Sequence, residues 1–179
     1  MTGPGPGPCL APPAGRPPWD LVLLDRDGTL NERVDGYVDH PDRLRMLPGA
    51  ASAVRRLNEA GCRVVLVTNQ RGLATGRLSW GAYEEVTARL HAELAAKGAH
   101  LDRVELCPHE EGTCDCRKPR DGLFRRALAA APWADPRRCA MIGDMPSDVH
   151  PARGLGMRGL LLGEDAEDLV AAVDELLSS

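Results

Sequence analysis

Five short apolar runs alternate with longer segments whose apolar residues recur at helical spacing. The runs are Leu21-Val-Leu-Leu24, residues 63–68 around Val64-Val-Leu-Val67, and residues 103–106, 139–142 and 158–162. The first two lack polar alternation, which marks strands buried on both faces and therefore a parallel sheet covered by helices. Between the runs, helices are expected over 49–60, after Pro48 and closed by Gly61, and over 79–97, opened by a capping Ser79 and closed by Gly98. Further helices are expected over 122–131, 147–154 and 166–177. Strands and helices in alternation predict an α/β domain with a doubly wound, mostly parallel sheet.

The first 18 residues break this pattern. Eleven of them are Gly or Pro, so residues 1–18 are expected to form a disordered tail ahead of one domain over 19–179. The tail has neither the basic start nor the apolar stretch of a signal peptide, and no run approaches the roughly 20 apolar residues of a membrane span. A cytoplasmic location, no membrane partner and a monomer are expected. With 22 basic and 26 acidic residues the net charge is -4, which gives no footprint for nucleic acid. Anionic ligands must then be held by local groups.

Those groups stand at the ends of the expected strands. Asp25-Arg-Asp27-Gly follows the first, Thr68-Asn69-Gln70 the second, Cys107 the third and Gly143-Asp144 the fourth. In an open α/β sheet the carboxyl ends of the strands line the ligand crevice. A carboxylate there can attack phosphorus and form an aspartyl-phosphate, although two carboxylates on a turn are common enough without such a role. Thr68 and the backbone N–H groups beyond it could bind phosphate oxygens, or simply end a strand. Arg117 and Lys118 could supply a fork and a point charge to phosphate, or form a solvated pair. Asp144 could join Asp25 in holding Mg²⁺, a hard cation that takes one or two carboxylates. Asp148 is expected to support that site or to cap the following helix.

Cys107-Pro-His109 and Cys114-Asp-Cys116 offer three thiolates and one imidazole, the ligand set of a closed structural Zn²⁺ site. With four protein ligands no position stays open for catalysis, so the zinc is expected to brace the loop that presents Arg117 and Lys118. Cys62 and Cys139 abut strands and read as buried thiols, and Cys9 as a free thiol of the tail.

The four segments Asp25-Arg-Asp27-Gly-Thr-Leu-Asn31, Thr68-Asn-Gln70, Arg117-Lys118-Pro119 and Gly143-Asp144, in this order, resemble the motifs of the haloacid dehalogenase-like (HAD) phosphatase superfamily. The resemblance implies a Rossmann-like fold, here without a large cap domain. The Cys-Pro-His and Cys-Asp-Cys-Arg-Lys-Pro segments are similar to the zinc-loop branch that holds heptose-bisphosphate and histidinol-phosphate phosphatases. Gly36-Tyr37-Val38 and the stretch from Thr68 to Arg77 are closer to the heptose enzymes. The resemblance implies that Asp25 is the nucleophile and Asp27 the general acid and then base. Mg²⁺ would be held by Asp25, the backbone carbonyl of Asp27, and Asp144. Thr68 and Lys118 would hold the phosphoryl group, and Asn69, Gln70, Arg117, Tyr37 and Arg71 would contact a small sugar-phosphate substrate.

The expected reaction is removal of the C7 phosphate of D-glycero-D-manno-heptose 1,7-bisphosphate. The alternatives are a histidinol-phosphate or other small sugar-phosphate phosphatase, and a non-catalytic sugar-phosphate-binding protein. Two departures from the family pattern bear on the substrate: Arg71 replaces a common Ser, and Met145 replaces a common Lys after the fourth-motif aspartate.

Overall fold

Leu21–Leu24 forms the central strand, β1, of a five-stranded sheet in the computed structural model, which describes residues 8–178. The other strands are β2 (Arg63–Asn69), β3 (Arg103–Cys107), β4 (Cys139–Gly143) and β5 (Arg158–Leu161). Their order is β3-β2-β1-β4-β5, and every pairing is parallel. The chain moves outward from β1 to β3 and then restarts on the other side of β1. Strand order therefore reverses between β1 and β4, where a crevice opens at the carboxyl ends.

The helices are α1 (Ala50–Glu59), α2 (Trp80–Ala95), α3 (Gly122–Ala130), α4 (Pro146–Gly154) and α5 (Leu169–Leu177). Alternate residues of β1 explain why its sequence is apolar throughout. Val22 and Leu24 pack into the core with Val54 and Leu57 of α1, Leu90 of α2 and Leu176 of α5. Leu21 and Leu23 face the opposite layer, with Leu123 and Phe124 of α3 and Ala152 of α4. A sheet covered on both faces has no polar side, so a period-two pattern never arises.

The expected elements are all present, with shifted ends. β2 runs one residue further, through Asn69, because Asn69 pairs with Cys107 of β3. α4 starts at Pro146, whose missing N–H costs nothing in a first turn. α5 starts at Leu169 rather than 166, because the Asp168 side chain accepts from the Ala171 N–H at 2.8 Å and sets the cap there.

Over residues 8–18 the structure differs from the expected disordered tail. The carbonyls of Ala11 and Pro12 accept from Arg63, that of Pro8 from Arg103 and that of Pro17 from Arg138. Trp133 Nε1 donates to the Leu10 carbonyl at 2.8 Å. Extended Pro-rich backbone leaves its carbonyls unpaired, and the arginines at the starts of β2 and β3 and just before β4 supply the donors. This strap crosses the amino end of the sheet, away from the crevice. Residues 1–7 of the expected tail lie outside the described residues.

Candidate active site

Asp25 follows β1 directly, and its N–H still donates to the Ile142 carbonyl of β4 at 3.1 Å. The chain then turns at Gly28, whose φ of 94° suits glycine alone. A Cβ on Gly28 would also fall onto the carboxylate of Asp144. The bare turn is what lets the ends of β1 and β4 close on each other.

Lys118 occupies the space between the strand ends. Its Nζ donates to Asp25 Oδ1 at 2.6 Å, to the Val67 carbonyl at 2.8 Å, and to Asp148 Oδ1 at 2.8 Å. An ammonium has three donors, so this set satisfies it completely. Lys118 is 4% exposed, and charges so buried are tolerable only when paired. Burial pushes the Asp25 carboxyl up to about 6, with repulsion from Asp148 and against the attraction of Lys118. At neutral pH Asp25 is still ionised, the form that attacks phosphorus.

Asp27 has a different environment. Arg26 reaches it with Nε at 3.2 Å and Nη2 at 3.1 Å, Asn31 Nδ2 with 2.9 Å and Gln70 Nε2 with 2.9 Å. Burial works against its ionisation, but the Arg26 charge and these donors prevail and hold the carboxyl below its ordinary range. Two carboxylates two residues apart thus have proton affinities pushed in opposite directions, the usual sign of divided roles.

Asn69 and Gln70 are engaged differently from the substrate contacts expected of them. Asn69 clamps the backbone of Lys118: its Oδ1 accepts from the Lys118 N–H and its Nδ2 donates to the Lys118 carbonyl, both at 3.1 Å. Gln70 Nε2 bridges Asp27 and the Thr68 hydroxyl, which accepts at 3.0 Å. Both amides position groups of the site while also lining a cavity of about 190 Å³, together with Asp27, Arg33 and Tyr37. The Tyr37 ring packs over Gly72, where a Cβ would crowd it, so the loop after the first motif rests on the turn after β2. Arg71 is exposed on that turn and is not part of this cavity's lining. Arg117 lines a neighbouring cavity with Lys118, and its Nη1 is buried without a hydrogen-bond partner.

Sequence reasoning passed over Arg33. Its Nε donates to Asp144 Oδ2 at 2.6 Å and its Nη2 to Oδ1 at 2.9 Å, across 111 residues of chain. Nothing in a loop arginine announces such a partner. Asp148 does both things expected of it, since Oδ2 accepts from the Met145 N–H at the start of α4 while Oδ1 meets Lys118.

Two sets of side chains fit metals. Asp25, Asp144 and Asp148 each offer an oxygen within 4.8 Å of the other two, a hard donor set that suits Mg²⁺. Both oxygens of Asp148 are held by buried partners, Lys118 and the α4 start; Asp25 gives only one oxygen to Lys118, and Asp144 is held by the more exposed Arg33, so these two are the easier to turn to an ion. In the second set, Cys107, His109, Cys114 and Cys116 converge at Sγ–Sγ separations of 3.4 and 3.6 Å and Sγ–Nδ1 separations of 3.3 and 3.7 Å. Bonds of about 2.0–2.3 Å to a tetrahedral Zn²⁺ require ligand separations of roughly 3.5–3.8 Å, and two of the four lie in that range while two are slightly shorter, so the cluster suits the ion. Arg120 donates to the Cys114 carbonyl at 2.9 Å, tying the loop to the segment that carries Lys118. Replacing Cys116 by Ser is expected to leave zinc content near zero and to lower the unfolding free energy by roughly 3 kcal/mol or more, checked by atomic absorption and urea unfolding.

A family model described as HAD-hydrolase-like matches residues 115–174. The chain is 38% identical over 169 residues to the D-glycero-beta-D-manno-heptose-1,7-bisphosphate 7-phosphatase of Rhodopseudomonas palustris, covering 89% of this chain and 93% of that one. It is 37% identical over 139 residues to the D-glycero-alpha-D-manno-heptose-1,7-bisphosphate 7-phosphatase of Mycobacterium tuberculosis, covering 76% and 73%. The crystal structure of D,D-heptose 1,7-bisphosphate phosphatase from B. bronchiseptica, complexed with magnesium and phosphate, superimposes with a TM-score of 0.82 at 33% identity, covering 89% of this chain and 98% of that chain. Likeness of this strength along most of both chains makes the protein a member of the haloacid dehalogenase-like superfamily, in the family of the heptose-1,7-bisphosphate 7-phosphatases.

Proposed function

We propose that the protein hydrolyses the C7 phosphate of a D-glycero-D-manno-heptose 1,7-bisphosphate, with Mg²⁺ as cofactor and Zn²⁺ as a structural ion, and that residues 19–179 form the catalytic unit. The observation that carries this reading is the buried Asp25 carboxylate, 2.6 Å from Lys118 Nζ and within reach of Asp144. The relatives named for this reaction and the magnesium- and phosphate-bound neighbour support it.

Asp25 attacks phosphorus, the bond from phosphorus to the C7 oxygen breaks, and Asp27 gives that oxygen a proton. Asp27 then takes a proton from water, the water oxygen attacks phosphorus, and Asp25 is released with inorganic phosphate. Asp27 is ionised in the free site, so its acid role needs a proton taken up from solvent as the anionic substrate arrives beside it and raises its proton affinity. Asn69 and Gln70 hold Lys118 and Asp27 in place through this exchange. Lys118 has no spare donor and serves the phosphoryl group by trading a carboxylate partner for a phosphate oxygen. Mg²⁺ held by Asp25, Asp144 and the Asp27 carbonyl would neutralise charge on the transferring group.

Among the described residues no helix is long and apolar enough to cross a membrane. We read the protein as a cytoplasmic monomer. Phosphate release from both anomers of heptose 1,7-bisphosphate and from histidinol phosphate tests the substrate. We expect kcat/KM for one heptose anomer to exceed that for histidinol phosphate by about 100-fold or more. A preference for histidinol phosphate would overturn the assignment.

A further inference from the structure

The pairing of Arg33 with Asp144 sets up a competition. Asp144 belongs to the carboxylate group that fits a divalent cation, yet both of its oxygens are taken by one guanidinium. The Asp144 side chain is 19% exposed and that of Arg33 is 52% exposed. The carboxylate is therefore fixed in the site, while the arginine reaches in from solvent and can leave without stranding its charge. Lys118 already pairs with both Asp25 and Asp148, and Arg26 with Asp27. Arg33 does for Asp144 what a divalent ion would do.

The same guanidinium lines the cavity of about 190 Å³ beside Asp27. Arg26 is the other cation of that lining, but it is 1% exposed and committed to Asp27. Met145, which follows Asp144, is exposed and uncharged. Once an ion claims Asp144, Arg33 is left with an unpaired fork at the cavity wall. A planar fork of N–H donors binds phosphate oxygens in pairs.

We propose that Arg33 is a specificity residue that exchanges partners: it pairs with Asp144 in the metal-free protein and, when a divalent cation occupies the carboxylates, turns to the second anionic group of a bisphosphate substrate, the one that is not cleaved. This rests on the heptose-bisphosphate reading for the identity of that group. It makes discrimination between bisphosphate and monophosphate depend on cofactor binding, because the reading arginine is released only by the ion.

The test compares the wild type with Arg33→Gln in the full-length, zinc-loaded protein. Calorimetric titration with Mg²⁺ alone should show tighter binding to the variant, by about tenfold, because the competing cation is gone. In turnover, KM for heptose 1,7-bisphosphate should rise about 10- to 100-fold with kcat nearly unchanged, while heptose 7-phosphate is affected little. Arg33→Lys, which keeps charge but not the fork, should fall between the two. Weaker Mg²⁺ binding in Arg33→Gln, or an equal loss on both heptose phosphates, would show Arg33 to be a structural clamp on Asp144 and overturn the proposal. Unchanged Mg²⁺ affinity and unchanged KM would overturn it as well. A wild type inactive on both heptose phosphates would instead refute the substrate reading. The Mg²⁺ titration would still decide the competition, and the turnover comparison would move to a bisphosphate and monophosphate pair that the wild type hydrolyses.

Discussion

Replacing Asp25 by Asn is expected to reduce kcat by at least about 1,000-fold while leaving a folded, zinc-loaded protein. The amide cannot form the acyl-phosphate, and the neighbouring carboxylate, Asp27, is held by Arg26, Asn31 and Gln70 in the position of an acid–base group rather than of a nucleophile. Stability should not suffer. Asp25 has its proton affinity raised in the folded state, to about 6 from 3.8, so in the metal-free protein its ionisation costs stability as pH rises through about 6. Asn removes that cost, and Lys118 keeps Asp148 and the Val67 carbonyl as acceptors. Thermal unfolding of the zinc-loaded, magnesium-free proteins at pH 8 should accordingly place the variant at or above the wild type. Substantial residual turnover would sink the covalent route.

Lys118→Met should lose activity and also stability, which separates it from the first substitution. Methionine fills a similar volume but leaves the carboxylates of Asp25 and Asp148, at 6% and 2% exposure, without their shared cation. Removing one partner from a buried ionic group typically costs about 3–5 kcal/mol. The sign of the pH dependence follows from the same group. Without Lys118 the Asp25 carboxyl is raised further above its unfolded value, so the folded state is favoured while Asp25 is protonated and loses that advantage as pH rises. Urea unfolding of the metal-free variant should show a deficit against the wild type that is largest above pH 7 and shrinks toward pH 5. Lys118→Met combined with Asp148→Asn should recover part of the stability and none of the turnover. A deficit that did not change with pH would mean that Lys118 stabilises by packing rather than by charge.

Much of the fold was legible because buried parallel strands are apolar on both faces. Leu21–Leu24 and the interior of β2 announce themselves without any partner being known, and glycines at 61 and 98 mark where α1 and α2 must stop. The ends moved by a few residues where pairing or a cap decided them, as at Asn69 and Asp168. Composition does not announce the strap over residues 8–18, because it reports only what a segment cannot bury by itself. It does not report that arginines at the starts of two strands and just ahead of a third will satisfy its carbonyls.

The site divides in the same way. The Cys₃His cluster was legible in the chain itself, since within a short loop spacing constrains chemistry, whereas Asp25-x-Asp27, Thr68, Lys118 and Asp144 drew their joint reading from the resemblance of four motifs in order. What the chain could not fix were the partners across the sheet. Only the tertiary structure spends the three donors of Lys118, gives Asn69 and Gln70 positioning bonds beside the cavity they line, and sets Arg33 against Asp144 over a separation of 111 residues. The reason is physical: a residue's type and local spacing determine what it can donate or accept, whereas which donor meets which acceptor depends on strand order, and β4 lies beside β1 although β2 and β3 come between them in the chain.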